Sequence, residues 1–159
     1  GEALSSHASA ALASARIAGA GERLLEMTIA HATTRTQFGR PLGAFQAVQH
    51  QLAVMAEEVA AARLAAGIGF GGVDFAARRS AIAKLRCSEA ADVIAATAHQ
   101  LHGAIGATAD HDLHLWTTEL RRLQRLHGSA ADWAARLGHM MATSAEQAGG
   151  VGRSLIDGF

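Results

Sequence analysis

Apolar positions along the chain recur every three or four residues, which is the spacing of an α-helix with one buried face. The clearest stripe follows Pro41 and consists of Phe45, Val48, Leu52, Met55 and Val59. Alanine is abundant, and strand-length runs of β-branched residues are missing, so helix is favoured almost throughout. The pattern predicts an all-α fold.

Glycine, the single proline and candidate capping residues divide this pattern into five helical segments. The first is predicted at about Ser5–Thr34, the second from Phe45 to a break at Gly67–Gly72, and the third from the cap Asp74 up to Gly103. The fourth and fifth are predicted at about Asp110–Leu126 and Ala130–Thr143. On the first segment a small-residue stripe that permits close helix contact is predicted, with Leu12, Ala15, Gly19, Glu22, Leu25 and Ile29 mostly on one face. The run Gly67–Gly72 lacks the preceding strand of a dinucleotide fingerprint and is therefore predicted to be an interhelical loop, with Asp74 capping the next helix.

Three long helices and a broken fourth, joined by short connections, predict an antiparallel four-helix bundle. The bundle is expected to occupy residues 1–145. Residues 146–159, which contain Gly149, Gly150 and Gly152, are expected to form a flexible tail.

Composition narrows the choice of partners. The chain has 159 residues, 14 basic and 14 acidic, so no net field attracts nucleic acid or an anionic membrane surface. Cys87 is the only cysteine, which excludes an internal disulfide and fits a reducing compartment such as the cytoplasm. No apolar run reaches the length of a membrane span.

Nine histidines raise the question of a metal site. His99 with His102, and His111 with His114, have the spacing that puts two imidazoles on one helical face. No glutamate is followed three residues later by histidine, as a di-iron bundle requires, and no further zinc ligands stand out. We therefore expect no metal.

The stretch Arg35–Pro41, RTQFGRP, places two guanidiniums, an amide and an aromatic ring at the end of a predicted helix. Arginine forks suit phosphate oxygens, and Phe38 could lie against a planar ring. Basic residues at a helix C-terminus also compensate the helix dipole, and the residues by themselves do not decide between these roles.

Two stretches carry a family resemblance. Arg35–Ala53, RTQFGRPLGAFQAVQHQLA, resembles a signature of the C-terminal helical domain of acyl-CoA dehydrogenases. Gln100–Thr108, QLHGAIGAT, is similar to the second cofactor signature of that family, Gln-x-x-Gly-Gly-x-Gly. The stretch DHDLHLW from Asp110, with Arg121 and Arg122, resembles actinobacterial members, including subunits of heteromeric sterol-degrading enzymes.

The resemblance implies a helical domain that helps to bind FAD and to build a dimer or a dimer of dimers, as homo- or hetero-oligomer, in an enzyme acting on an acyl-CoA substrate. Arg35 would contact the FAD pyrophosphate of the neighbouring subunit, and Phe38 would pack near its adenosine part. Gln100, Gly103, the Ala104 backbone and Ser129 would complete the cofactor contacts. Ala104 stands where the family usually has a second glycine.

The chain departs from the family in three respects. The family's N-terminal helical domain and middle β-domain are absent from this sequence, so the chain alone is expected to be inactive. The family's Tyr-Glu-Gly-Thr motif, which carries its catalytic base, falls on Leu126–Ser129, and His127 replaces the glutamate. The alternative glutamate of some members would fall near Ser9, where no acidic residue lies.

His127 is thus the candidate catalytic residue, with three roles open. An imidazole with a pKa of about 6.5 can serve as the base. Some flavin monooxygenases of the same fold place a histidine near the flavin in this region. The several substitutions around His127 favour the third role, that of a structural residue at a helix break.

Overall fold

A computed structural model describes residues 2–71, 77–108 and 112–156 of the protein. Its five α-helices are α1 (Glu2–Thr34), α2 (Gln46–Phe70), α3 (Ala77–His102), α4 (Leu113–Arg125) and α5 (Ala130–Ile156). A hairpin of two short strands, β1 (Thr36–Gln37) and β2 (Arg40–Pro41), and a 3₁₀ helix (Leu42–Ala44) join α1 to α2. A second 3₁₀ helix (Gly103–Ala107) follows α3. The predicted helical bundle, with its last helix broken between α4 and α5, is confirmed.

Helix α3 is the central element of the bundle and packs against each of the other four helices. Half of its twelve buried residues are alanine, and the others are Ser80, Lys84, Cys87, Ser88, Ile94 and His102. Small side chains allow the helices to approach closely: a Cβ added at Gly69 of α2 would lie 2.9 Å from the Cβ of Ala83 and 3.6 Å from that of Ala11. Close helix contact therefore supplies much of the core packing.

The prediction of a loop at Gly67–Gly72 is wrong for the first four residues, because α2 continues to Phe70. Gly69 is buried in the helix contact just described, so this glycine serves packing instead of breaking the helix. Gly72 and the predicted capping residue Asp74 lie outside the described residues.

The stripe predicted on the first helix is also wrong. Leu12 and Ile29 are 57% and 45% exposed. The buried face of α1 is formed instead by smaller residues with a few larger ones, including Ala11, Ser14, Ile17, Leu24 and Thr28. These side chains fit the alanine-rich face of α3. On α2 the predicted stripe is buried at Met55 and Val59 and half-buried at the other positions.

Helix α5 extends to Ile156 and does not end near Thr143 as predicted. Alanine, glutamate and glutamine between residues 142 and 148 favour helix, and α5 continues through Gly149, Gly150 and Gly152, each of which costs about 1 kcal/mol relative to alanine. In the described part of the chain, no helix has both the length and the apolar character needed to cross a membrane.

Candidate functional site

The predicted cofactor-binding residues Arg35, Gln100, Gly103 and Ala104 line one cavity of about 420 Å³. It lies where α1 and α3 end at the same side of the bundle. The other lining residues are His31, Gln37, Leu42, Val48, Leu101 and His102. The fold therefore brings the two signatures together, although they are far apart in sequence.

Arg35 is held by its backbone at the end of α1. Its N–H donates to the carbonyl of His31 at 2.9 Å, and its own carbonyl accepts the N–H of Leu42 at 2.8 Å. The side chain is exposed and forms no ion pair with a carboxylate of the described residues. A guanidinium in this position has its donors available for an anion such as a phosphate.

The end of α3 forms the opposite wall of the cavity. Gly103 has a φ of +60°, a left-handed conformation that glycine adopts without strain, and no atom lies within 4 Å of the position of a Cβ there. Gln100 and Ala104 are exposed beside it. A ligand can approach the backbone closely at Gly103.

His31 and His102 also line this cavity. The sequence analysis did not single out His31 and considered His102 only as a metal ligand. Their rings stack, with centroids 4.4 Å apart and an interplanar angle of 28°. Two signals were available in the sequence. His31 precedes Arg35 by one helical turn and so shares its face, and His102 lies within the signature QLHGAIG.

Phe38 lies at the tip of the hairpin and does not line the cavity. Its φ of 50° is left-handed, and its side chain is 92% exposed. The ring meets Phe45 edge to face at 6.3 Å, and the guanidinium of Arg40 stacks over Phe45 at 4.0 Å. The contact of Phe38 with the adenosine part of a cofactor remains a prediction.

The turn between α4 and α5 carries His127 and Ser129, and neither lines the cavity. His127 is exposed and has a φ of 62°, and its carbonyl accepts the indole N–H of the buried Trp133 at 3.0 Å. Ser129 donates to Asp132 Oδ2 through its hydroxyl at 2.7 Å and its N–H at 2.8 Å. These hydrogen bonds hold the pKa of Asp132 below its usual range. Ser129 thus caps α5 in this chain.

Lys84, the only lysine of the chain, supports this turn from beneath. Its side chain is fully buried, and its Nζ donates to the carbonyls of Gln124 (2.8 Å) and Gly128 (3.2 Å) and to Ser88 Oγ (3.0 Å). Burial lowers the pKa of Lys84 to about 8, so the ammonium is still charged at neutral pH. The sequence analysis missed this residue, although a single lysine inside an alanine-rich helix is a signal.

The histidines considered as metal ligands have other contacts. His99 Nε2 lies 3.0 Å from Thr117 Oγ1, and His102 Nδ1 lies 2.8 Å from the carbonyl oxygen of Ala98. His111 lies outside the described residues. Across the described ranges, no three histidine, cysteine, aspartate or glutamate side chains form a group that could hold a metal ion.

Known proteins with similar sequences and structures support the family resemblance of this chain. The family profile described as acyl-CoA dehydrogenase, C-terminal domain, matches residues 7–132. Acyl-CoA dehydrogenase IpdE2 of Mycobacterium tuberculosis is 40% identical over 121 residues, which are 76% of this chain and 36% of that protein. The chain thus spans about a third of the length of this relative.

Two solved structures share the fold, each with about 30% sequence identity to this chain. A variant of the Tcur3481–Tcur3483 steroid ACAD is 31% identical with a TM-score of 0.79, over 86% of this chain and 39% of the other. The ChsE4–ChsE5 complex from Mycobacterium tuberculosis is 30% identical with a TM-score of 0.75, over 86% and 38%. The profile match covers most of the chain, and the protein therefore belongs to the acyl-CoA dehydrogenase family and has the fold of its C-terminal domain.

Proposed function

We propose that this chain is the FAD-contacting and oligomerisation domain of an acyl-CoA dehydrogenase-like flavoprotein. In the assembled protein the reaction is α,β-dehydrogenation of an acyl-CoA thioester. The observation that carries the proposal is the convergence of Arg35 with Gln100, Gly103 and Ala104 on one cavity. FAD is the cofactor that the family uses, and it accepts the hydride when bound.

The residues around the cavity fit the diphosphate of FAD by their chemistry. The guanidinium of Arg35 offers a fork of N–H donors for phosphate oxygens, and the amide of Gln100 adds neutral donors. Gly103 allows the ligand to approach the backbone. Phe38 stands exposed in a backbone conformation that costs free energy for a non-glycine residue, which supports a role in contacting an aromatic ring of a ligand.

We further propose that the domain acts in a homo- or hetero-oligomer, as a dimer or a dimer of dimers. The cavity is formed by one end of the bundle, and the chain covers about a third of its relative IpdE2, so other protein has to complete a flavin site. One of the similar structures is itself a complex of two different proteins, ChsE4 and ChsE5. By itself the chain is then expected to bind FAD weakly and to be inactive.

A second candidate function is that of a non-catalytic partner subunit, which completes a flavin site on another chain. The α4–α5 turn favours it, because His127 stands in place of the family's glutamate and the turn is held by internal hydrogen bonds. Reduction of the flavin by an acyl-CoA, measured anaerobically with the full-length protein in the absence of any partner protein, separates the candidates. It requires a base from this protein itself, which a non-catalytic partner subunit does not supply.

The test of the FAD site is Arg35→Ala in the full-length or partnered protein, with Arg40→Ala as the matched control. Arg40 lies on the same hairpin but stacks on Phe45 and does not line the cavity. We expect Arg35→Ala to weaken FAD binding about tenfold or more, as for the loss of a charge-assisted hydrogen bond. The free energy of unfolding should change by less than about 1 kcal/mol, because no buried partner is left unpaired.

FAD retention after gel filtration and equilibrium titration by flavin fluorescence measure this effect. Equal FAD affinity in the Arg35→Ala and Arg40→Ala variants would contradict the proposed site. A stoichiometric flavin complex of the isolated chain would contradict the requirement for further protein.

A further inference from the structure

A second cavity, larger than the one that Arg35 lines, lies in the groove between α1 and α2. Its volume is about 930 Å³, and its lining residues in the described structure all belong to these two helices. A smaller hollow of about 270 Å³ continues it and shares Glu22, Arg63 and Gly67 with it. We call the two together the α1–α2 groove. No described residue lines both this groove and the cavity of Arg35, so the proposed FAD site does not account for it.

The outer face of α2 is apolar where it borders the groove. Leu64 is 70% exposed, Phe70 44% and Ile68 38%. The other apolar groove residues of α2 are Ala56, Val59, Ala60, Ala66 and Gly67. Among the described groove residues of α2, only Arg63 is charged. A helix face in solvent normally carries polar side chains, whereas contiguous exposed apolar surface marks an interaction site.

Two glycines leave room for another helix to come close. Gly19 of α1 and Gly67 of α2 line the same hollow, one on each side of the groove. At each of them, no atom lies within 4 Å of the position of a Cβ. The ridge of side chains on a helix fits into the groove between two others, and short side chains there increase the contact area. The shape of the α1–α2 groove thus suits packing against helices.

The charges that line the groove have both signs and are divided between the two helices. The carboxylates of Glu22 and Glu26 lie on α1, and the guanidinium of Arg63 lies on α2. Arg63 Nε is 3.6 Å from Glu22 Oε1, and the side chain of Arg63 is 79% exposed. Glu26 pairs with Arg23 of its own helix at 3.2 Å, and its side chain is 68% exposed. A partner with charges of a single sign would therefore be repelled by one wall.

A second copy of the chain carries the complementary charges, and their positions select one way of pairing. In a symmetric dimer the same patch of both copies meets across a two-fold axis. An axis that runs along the groove lays α1 of one copy over α2 of the other, so Glu22 and Glu26 face Arg63 of the second copy. An axis across the groove lays α1 over α1, and the carboxylates then repel each other.

The size of the face sets the strength of such a contact. The groove follows α2 from Ala56 to Phe70, which is roughly 22 Å of helix, and two helices side by side are roughly 20 Å wide. Each copy thus contributes roughly 450 Å², and the pair roughly 900 Å², which is the range of weak or transient interfaces. This area predicts a dissociation constant on the order of 10 μM.

We propose that the α1–α2 groove is the surface through which two copies of this chain associate, about a two-fold axis that runs along the groove. The inference rests on the oligomerisation part of the proposed function, because it names the surface that such an oligomer uses. It is independent of the FAD site, which lies in the other cavity. The apolar side chains of α2 supply the attraction, and the charges supply the orientation.

Leu64→Glu and Leu115→Glu form a matched pair of variants, since both leucines are exposed and only Leu64 lines the groove. Sedimentation of the full chain from about 1 μM to about 100 μM brackets the expected dissociation constant. We expect Leu64→Glu to raise this constant at least about tenfold, because symmetry places two substituted side chains in each dimer. Leu115→Glu should change it less than about twofold. Circular dichroism checks that both variants are folded.

Single cysteines test the direction of the axis. With the axis along the groove, Gly19 of one copy lies over Gly67 of the other. A mixture of Gly19→Cys and Gly67→Cys chains should therefore form a disulfide-linked dimer under mild oxidation, and each variant alone should form little. The native Cys87 is buried and provides the background in the unmodified chain. Equal crosslinking of Gly19→Cys by itself would place α1 over α1 and overturn the proposed pairing.

The outcomes separate this inference from the proposed function. A dimer that is insensitive to Leu64→Glu would overturn the inference and leave homo-oligomerisation in place through another surface. A chain that stays monomeric at about 100 μM would overturn it too, while FAD binding that depends on Arg35 would still support the cofactor site. If Leu64→Glu instead weakens binding of a different protein, or destabilises the full-length protein without changing its oligomeric state, the groove belongs to that contact and not to a second copy.

Discussion

The cavity at the ends of α1 and α3 and the turn between α4 and α5 are both helix breaks, and both correspond to signatures of the acyl-CoA dehydrogenase family. They differ in the use of their polar groups. At the cavity, Arg35 and Gln100 are exposed, with donors that can serve a ligand. At the turn, Lys84 and Trp133 satisfy the backbone carbonyls from inside the protein.

This difference indicates that the break at the ends of α1 and α3 is suited to binding a ligand, whereas the α4–α5 turn stabilises the fold. Polar groups with hydrogen-bond partners inside the protein stabilise one conformation of the chain. Polar groups that remain exposed to solvent lower the stability of the fold little and can bind a ligand. The groups at the proposed cofactor cavity are available to solvent. The groups at the position of the family's glutamate are satisfied internally, and the structural role of His127 stays a prediction.

The largest effect should come from Lys84→Met, which tests whether the turn is a structural joint. The change leaves the carbonyls of Gln124 and Gly128 without their buried donor, at a cost of about 2 kcal/mol or more in the free energy of unfolding. Urea denaturation at neutral pH measures it. Arg125→Met, an exposed change at the end of α4, is the control and should cost less than about 0.5 kcal/mol.

A stability of Lys84→Met equal to that of the control would show that the buried ammonium is dispensable. The internal hydrogen bonds of the α4–α5 turn would then not contribute more to stability than the exposed groups at the cavity. Arg35→Ala provides the counterpart, since it should reduce FAD affinity and have little effect on unfolding.

A smaller effect concerns the alkaline pH dependence of stability. Burial lowers the pKa of Lys84 from 10.5 to about 8, so between these pH values the unfolded state binds more protons and stability rises with pH. Burial raises the pKa of Cys87 from 9.0 to about 11, so between these values the folded state binds more protons and stability falls. The two contributions oppose each other over the range that they share.

We therefore expect stability to rise from about pH 8 to about pH 9 and then to change little up to about pH 10.5. Cys87→Ala removes the opposing contribution, and the rise should then continue to about pH 10.5, with a slope of at most about 1.4 kcal/mol per pH unit. Lys84→Met should abolish the rise. Urea denaturation across this range checks the three profiles, and a rise that persists without Lys84 would contradict the assignment.

The smallest effect is expected for His127→Ala in the flavin-loaded assembly. Because the carbonyl of His127, and not its imidazole, makes the contact with Trp133, removing the ring should change the rate of flavin reduction by an acyl-CoA less than about tenfold. Stopped-flow reduction measures this rate beside His127→Glu. A loss of two to four orders of magnitude in the alanine variant, with recovery in the glutamate variant, would make His127 the base.

Much of the fold and part of the candidate site could be predicted from local sequence. Helical periodicity predicted the bundle, because the spacing of apolar residues indicates which helical face is buried. The cavity residues Arg35, Gln100 and Gly103 could be predicted because they lie in two short stretches that resemble signatures of the family. The continuation of α2 through Gly69 could not be predicted, because a glycine run in the sequence indicates a helix break. Only the contact of Gly69 with α3 shows that this glycine is a packing residue.

The sequence by itself determined that the chain is helical and where most of its helices end, and its resemblance to the family named the residues of the two signatures as candidates for one cofactor site. The tertiary structure alone decided which face of α1 is buried, that His31 stacks on His102, and that Lys84 supports the α4–α5 turn. The physical reason is that periodicity and caps act within a few residues. Contacts between alanine-rich helices depend on which of several similar faces meet, and composition hardly distinguishes those faces.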